Sequence, residues 1–318
     1  MTKSISIITP HYNDIEGVLN IKKYLSQQTS TAWEWIIVDD CSDQEIQSWL
    51  ASIASDSDNI HVILNTAKTN ASYCRNMGAD KARFDLLIFL DADDTILPDF
   101  VRNRLIDVSD FVVFQRMNIQ NGETLRPNNA ITQDFLEHFL SAKFCWQTSC
   151  VLWDKNFFQK IGKFDDKLKL LQDVEISIRS MFESSDYKVI TDNEVDFYYQ
   201  VQPINIKKRT LQKVSESSVY LIHKISKQYT LTTLQKRYLT CYYFLCVRYF
   251  VMDVNASTFK IIKHTLKEFY KNRCINFSEY VFGRLSLKVF QYKIINKNLF
   301  IKTNRKVFKT NRVFNYFS

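Results

Sequence analysis

Glycine and proline are scarce, with five and four copies in 318 residues. Flexible or polyproline linkers need far more of both, so a string of loosely tethered modules is excluded. The seven cysteines are odd in number, scattered and never spaced as CxxC. That excludes a disulfide framework and points to reduced thiols in a cytoplasmic protein. No apolar run is long enough to span a bilayer. The best window, Tyr238 to Met252, is short of the roughly 20 residues required and contains Arg248. Met1-Thr2-Lys3-Ser4-Ile5 leads straight into a strand pattern, with no signal-peptide pattern. GxGxxG and GxxxxGK[ST] are both missing after the first strand, which disfavours a nicotinamide or P-loop site.

What is present is a globular composition with an uneven charge. Hydrophobic residues make up 46% of the chain, enough for a sizeable core. Residues 207–318 hold 23 Lys and Arg against 4 Asp and Glu, a net of +19. Residues 1–206 hold 19 against 30, a net of −11. The division predicts an acidic catalytic domain over 1–206 and a basic, mainly helical region over 207–318.

Apolar patterning resolves the first ninety residues. Strands are predicted at Ser4–Thr9, Trp33–Val38, Ile60–Leu64 and Asp85–Leu90, the first broken by Pro10. Between them, helical stripes run through Val18, Ile21 and Leu25, through Ile46, Leu50 and Ile53, and over Ala71–Ala82. Four strand–helix alternations predict a parallel sheet wound with helices on both faces. The strand ends are polar: Tyr12 and Asn13 after the first, Asp39 and Asp40 after the second, Asp91 and Asp93 after the fourth. They should gather along one sheet edge. There an aromatic such as Tyr12 can stack on a base and a carboxylate such as Asp39 can hydrogen-bond its edge.

The apolar strand Leu86–Leu90 ends in Asp91-Ala92-Asp93-Asp94. Asp91 and Asp93, two apart, leave the same face of an extended chain. Paired carboxylates suit Mg2+ or Mn2+, which take one or two of them together with substrate phosphate oxygens. The alternative is a solvated turn in which Asp94 or Thr95 caps a helix near Pro98.

Thr9-Pro10-His11-Tyr12-Asn13, Val38-Asp39-Asp40-Cys41-Ser42, Ser72-Tyr73-Cys74-Arg75-Asn76-Met77-Gly78 and Phe89-Leu90-Asp91-Ala92-Asp93-Asp94 follow in that order. Together they resemble the nucleotide-sugar-binding half of family 2 glycosyltransferases with the GT-A fold. The resemblance covers Ser4 to about Phe100 closely, continues loosely to Val201 and does not reach further. It implies a GT-A, Rossmann-like mixed sheet and an inverting transfer from a nucleotide-diphosphate sugar, with a UDP-sugar as the expected donor. The acceptor it implies is a surface polysaccharide such as capsule or O-antigen, or a lipid-linked glycan. Thr9, Pro10 and Tyr12 would line the base pocket, and Asp39 would bind the base. Arg75 would approach the base or diphosphate. Asp91 and Ala92 would meet the ribose or sugar, and Asp93 would ligate Mn2+ or Mg2+. Two positions depart from the pattern: Asn70 stands where Gly is usual, suited to a left-handed turn, and Lys68 where Asn is usual.

Cys145–Trp153 and Ile161-Gly162-Lys163-Phe164-Asp165 resemble the acceptor-side segment. Trp146 could stack on an acceptor sugar or belong to the core, and Trp153 reads as core. Asp173, in Leu171-Gln172-Asp173-Val174-Glu175, matches the general base, with Gln172 in place of the usual Glu. Glu175 is a fallback base, read first as a solvated helical residue. No His follows the last strand, and Lys207, Lys208 and Arg209 could supply the missing charge.

The aromatic–basic C-terminal region has three readings: an anionic membrane surface with attachment at the inner face of the cell membrane, packing or homo-oligomer contacts, and, least favoured, nucleic acid. Two rivals to the enzyme stay open: a non-catalytic nucleotide-sugar-binding scaffold and a basic nucleic-acid-binding protein.

Overall fold

A computed structural model of the chain describes residues 3–55, 57–128, 131, 133–201 and 210–310. The elements run β1 (Ile5–His11), α1 (Ile15–Ser26), β2 (Trp33–Asp39), α2 (Gln44–Ala54), β3 (Ile60–Leu64), α3 (Ala71–Lys81), β4 (Leu86–Phe89), β5 (Thr95–Ile96), α4 (Phe100–Asn103), β6 (Phe111–Phe114), β7 (Asn118–Asn121) and β8 (Thr124–Pro127). There follow α5 (Phe135–Leu140), β9 (Val151–Asp154), α6 (Lys155–Lys160), α7 (Gln172–Glu183), β10 (Tyr187–Ile190), β11 (Phe197–Gln200), α8 (Leu211–Gln228), α9 (Thr233–Phe250), α10 (Ala256–Lys271), α11 (Phe277–Gln291) and α12 (Lys297–Val307).

The chain divides into two compact units. The first comprises Met1–Gln133, Cys145–Lys167 and Arg179–Pro203; the second comprises Asp134–Phe144, Leu168–Ile178 and Ile204–Ser318. Two short stretches of the acidic half therefore group with the basic helices.

The first unit is built on a seven-stranded sheet of order β10-β6-β9-β4-β1-β2-β3. β3, β2, β1 and β4 are parallel, β9 is antiparallel to both its neighbours, and β10 pairs parallel with β6. Strands β1, β2 and β4 are buried on successive residues, as central parallel strands must be. After β3 the chain returns to place β4 beside β1, so the strand order reverses between them. Such a reversal leaves a crevice at the strands' carboxyl ends. A second sheet, β5-β11-β7-β8, begins directly beyond the Asp cluster.

Two local expectations need correction. Pro10 does not break β1, which pairs with β2 as far as His11↔Asp39. Pairing with β4 has ended by Ile8↔Phe89. The Leu90 amide bonds Ile8 O, so even-numbered β1 residues face β4 and Pro10's missing N–H falls where no partner strand remains. The other correction concerns Asp94 and Thr95, which cap no helix. Thr95 and Ile96 instead pair antiparallel with Tyr198 and Phe197.

The sheet buries charge. Glu34 is fully buried on β2. It accepts from Ser6 Oγ at 2.6 Å, the Arg83 amide at 2.6 Å and Arg83 Nε at 2.7 Å. Burial alone would push its carboxyl up, but these bonds outweigh burial and hold it below the ordinary glutamate range.

The second unit has an aromatic core. Tyr243 meets Phe244, Phe269 and Phe308 with ring centroids 5.6–5.9 Å apart, and Phe290 stacks on Phe300 at 4.4 Å. These rings belong to packing, and the expectation of aromatics spread through a headgroup layer does not hold for them. Two helices appear where the last forty residues show no clean period. Asn276 and Asn296 cap α11 and α12 by accepting from Glu279 N and Leu299 N, both at 2.9 Å. Helices α10, α11 and α12 end alike. Arg273, Lys293 and Lys309 take left-handed φ of 59°, 57° and 54°. The next amide in each case bonds back five residues: Cys274 to Phe269, Ile294 to Val289 and Thr310 to Arg305. These are Schellman motifs with a cation in the usual place of glycine, and the cation suits the negative helix end. Glu175 is not solvated: it is fully buried in this unit and paired with Lys224 at 2.9 Å. No helix of the described residues is long and apolar enough to cross a membrane.

Glu34→Ala is expected to cost about 3 kcal/mol, because buried donors lose a charged acceptor. A carboxyl with a depressed folded pKa stabilises fully above its unfolded pKa, and that contribution is lost as pH falls through the folded value. Glu34→Gln should therefore differ most from wild type at neutral pH and converge with it in acid. Thermal melts across pH test this, and equal midpoints at pH 7 would refute it.

Candidate active site

A cleft of about 550 Å³ opens at the carboxyl ends of β1, β2 and β4, within the first unit. Pro10, His11 and Tyr12 line it after β1, and Asp40 after β2. The β3–α3 segment adds Lys68, Thr69, Asn70, Ala71, Cys74 and Arg75. Asp91, Ala92 and Asp93 come from the turn after β4, and Asp14 from the cap of α1.

The wall between β1 and β2 is a buried knot. Asp14 N donates to His11 Nε2 at 3.1 Å, so the imidazole proton sits on Nδ1. That proton is donated to Asp39 Oδ1 at 2.8 Å. Asp39 also accepts from Ser42 N at 2.9 Å, from Ser42 Oγ and from Gln47 Nε2 at 3.1 Å. Burial would raise this carboxyl; the bonds from Ser42, His11 and Gln47 override it and hold it low. Asp39 is fully buried and does not line the cleft, which corrects its expected contact with a base. The acid that faces the cleft is Asp40. The pleat allows only one of two adjacent side chains on a given side, and here the outer one is Asp40. Thr9 is likewise buried, its hydroxyl accepting from Trp35 Nε1 at 2.9 Å, and it lies one position too deep to touch a ligand.

Asp40 holds the β3–α3 loop in place. It accepts from Thr69 N at 2.7 Å, Thr69 Oγ1 at 2.5 Å and Lys68 Nζ at 3.0 Å. Burial raises its carboxyl, and the Thr69 and Lys68 contacts more than compensate, leaving it below the ordinary range. Lys68 Nζ also lies 2.9 Å from the centre of the Tyr12 ring, a cation–π contact on one face. Tyr12 remains 50% exposed, so ring surface is left for a ligand. Asn70 is not left-handed. It is extended, with φ −162° and ψ 170°, and caps α3 by accepting from Tyr73 N at 3.1 Å. Its amide also reaches Asp166 O at 2.8 Å.

The carboxylates after β4 divide their tasks. Asp91 accepts from Arg75 Nη2 at 2.5 Å, and Arg75, only 6% exposed, keeps a buried Nε with no hydrogen-bond partner. Asp93 is exposed at the cleft. Asp94 turns inward to Ser149 Oγ at 2.9 Å and Gln200 N at 3.3 Å. Burial, then the charges of Asp91 and Asp93, push the Asp94 carboxyl well above its usual range. Gly17 lets α1 approach this turn, since a Cβ there would meet Ala92 O at 2.7 Å.

No group of three or more Asp, Glu, His or Cys side chains is arranged around a metal among the described residues. The donor set nonetheless fits a hard cation whose remaining ligands come from substrate. It is all oxygen, two residues apart, and crowded enough to raise a third carboxyl beside it. Asp93, with Asp91, would hold Mg2+ or Mn2+.

Trp146 is 3% exposed and offers no face to a sugar, so it joins Trp153 in the core. Asp173 opens α7, half-buried, in the second unit. Gln172 donates to Leu168 O at 2.8 Å, and Ser177 Oγ donates to Asp173 O at 2.7 Å. Lys207, Lys208 and Arg209 lie outside the described residues.

Residues 6–166 match the sequence profile of Glycosyl transferase family 2, half of the chain. The chain belongs to that family. An uncharacterized glycosyltransferase of Haemophilus influenzae is 30% identical over 203 residues, covering 58% of this chain and 65% of that protein. The amylovoran biosynthesis glycosyltransferase AmsB of Erwinia amylovora is 27% identical over 192 residues, covering 56% of this chain and 64% of its own. The chain thus spans just under two thirds of the length of these family 2 relatives. Among solved structures, S. aureus TarS 1–349 in complex with UDP-GlcNAc superposes with a TM-score of 0.65 at 16% identity, covering 99% of this chain and 93% of that one. At that identity the likeness is one of fold, the GT-A fold with a helical C-terminal region.

Breaking the family 2 knot at Asp39 should cost stability, because His11, Ser42 and Gln47 lose a buried anion. Asp39→Ala is expected to destabilise by about 3–4 kcal/mol. Chemical denaturation measures this, and a loss below about 0.5 kcal/mol would show the knot to be idle.

Proposed function

We propose that the protein is a metal-assisted, inverting glycosyltransferase that takes its sugar from a UDP-linked donor. The observation that carries this is the convergence of Tyr12, Asp40, Arg75, Asp91 and Asp93 on one cleft at the strand-order reversal of a family 2 chain. The UDP-GlcNAc held by the TarS structure supports the choice of base. The name of AmsB supports a hydroxyl of a surface polysaccharide or lipid-linked glycan as acceptor.

In this reading the base stacks on the exposed part of Tyr12, and Asp40 bonds its edge. Arg75, through its positive charge at the cleft and its pairing with Asp91, fixes the ribose and diphosphate side. Asp93 holds the cation with Asp91. A bound Mg2+ or Mn2+ supplies positive charge to the departing diphosphate. The acceptor hydroxyl attacks the anomeric carbon as the bond from that carbon to the diphosphate oxygen breaks. The bond electrons leave with the diphosphate, and the hydroxyl proton passes to a carboxylate base, the role that the family 2 resemblance gives Asp173. A single displacement of this kind inverts the anomeric centre. The position of Asp173 at a helix N-terminus favours its ionised form, which a base needs.

UDP with Mn2+ should raise the thermal midpoint of the full chain, by mass action on the folded state. Asp93→Ala should abolish the metal-dependent part of that rise. Asp40→Asn should weaken UDP binding about tenfold or more, the scale of a lost hydrogen bond to a charged group. Asp173→Asn should leave UDP binding intact and lower transfer by about 10²–10⁴-fold. Nearly full turnover by Asp173→Asn would remove the base assignment, and no response to any uridine nucleotide would remove the donor.

A further inference from the structure

The second unit carries a surface whose make-up matches a different partner. Tyr292 and Ile294, in the turn between α11 and α12, are 74% and 71% exposed, more than any other large hydrophobic side chain described. Leu285, two turns back on α11, is also exposed. Interleaved with them are exposed Lys288, Lys293 and Lys297. From residue 277 to residue 310 there are eight Lys and Arg and one acid, Glu279. That acid is buried and paired with Arg237 at 2.6 Å, so residues 277–310 themselves present no exposed carboxylate. The turn is also fixed in shape. Lys293 is left-handed, Ile294 N bonds Val289 O at 3.1 Å, and Asn296 caps α12.

We infer that the α11–α12 turn is a docking face for an anionic lipid bilayer, with Tyr292 and Ile294 entering the headgroup layer and Lys288, Lys293 and Lys297 meeting lipid phosphates. The charge decides the occupant. An apolar tip ringed by cations alone complements a surface that is apolar beneath and negative above. A second copy of this chain would bring like charge against like. A nucleic acid would satisfy the lysines and leave the aliphatic tip in water. The inference is independent of the transfer reaction, because it concerns residues outside the cleft.

The test is co-sedimentation of the full chain with vesicles of phosphatidylcholine alone and of phosphatidylcholine with 30% phosphatidylglycerol as probe composition. Wild type should partition to the anionic vesicles at least about tenfold better, an advantage that shrinks as salt rises. Lys288→Glu with Lys293→Glu should remove that preference. Tyr292→Ser with Ile294→Ser should lower binding about tenfold while the thermal midpoint stays unchanged, since both side chains are in water. Leu234→Ser, an exposed leucine at the start of α9, should bind as wild type. Equal binding to both vesicles, or wild-type binding by either double variant, overturns the proposal. So does a dimer in sedimentation velocity that the Tyr292→Ser, Ile294→Ser pair dissociates, or binding to random-sequence DNA that outcompetes the anionic vesicles.

Discussion

The architecture of the cleft depends on one buried hydrogen bond, from the neutral imidazole of His11 to the carboxylate of Asp39. Two parallel strands that end side by side expose their last amides, and something must satisfy those amides without filling the crevice. His11 does this toward α1, through Asp14 N, and Asp39 does it toward α2, through Ser42 N. The left-handed backbone of Asn13 and Cys41 on either side is held by the same set: Asn13 N donates to Ser42 Oγ, and its side chain accepts from Asp43 N. With these polar groups tied inward, the next positions along the chain, Tyr12 and Asp40, line the cleft.

Charge in the cleft follows the same separation of support from display. Each acid pair has an inner and an outer member. Asp39 and Asp94 are buried away from the cleft, while Asp40, itself almost fully buried and bonded to Thr69 and Lys68, and the exposed Asp93 line it. The two inner acids are driven in opposite directions. Burial pushes both carboxyls up, but the bonds from Ser42, His11 and Gln47 outweigh it at Asp39 and hold it low, whereas at Asp94 the charges of Asp91 and Asp93 add to burial and it rises. The proposed cation and diphosphate would meet Asp40 and Asp93 on the cleft side, with Asp39 and Asp94 holding the backbone behind them.

Much of this was legible in the sequence. Apolar runs located the four parallel strands, and the ordered motifs brought Pro10, Tyr12, Arg75, Asp91, Ala92 and Asp93 to one place. What misled was parity. An adjacent pair such as Asp39-Asp40 gives no sign of which member faces in until the strand's end and its hydrogen bonds are known, and Thr9 fails for the same reason. His11 stood inside a recognised motif without a role, although a histidine one residue before the exposed aromatic is well placed to be the inward partner. Trp146 could not be settled either, because a tryptophan beside a strand reads alike whether it packs or stacks.

The C-terminal helices were harder to read because their punctuation is unusual. A helix normally announces its end with glycine, and this chain has five glycines in all. Arg273, Lys293 and Lys309 take the left-handed position instead, at a steric cost of about 1 kcal/mol each. At three successive helix ends the residue carries a positive charge, which suits the negative end of the helix and offsets part of that cost. The readable signals were at the other ends: Asn255, Asn276 and Asn296 cap α10, α11 and α12 at intervals of about twenty residues. A basic residue at each turn and asparagine at each start also explain why the region reads as an aromatic–basic mixture without a period. The aromatics mark the core, the cations mark the helix ends, and only the rings and aliphatics left outside the core need a partner.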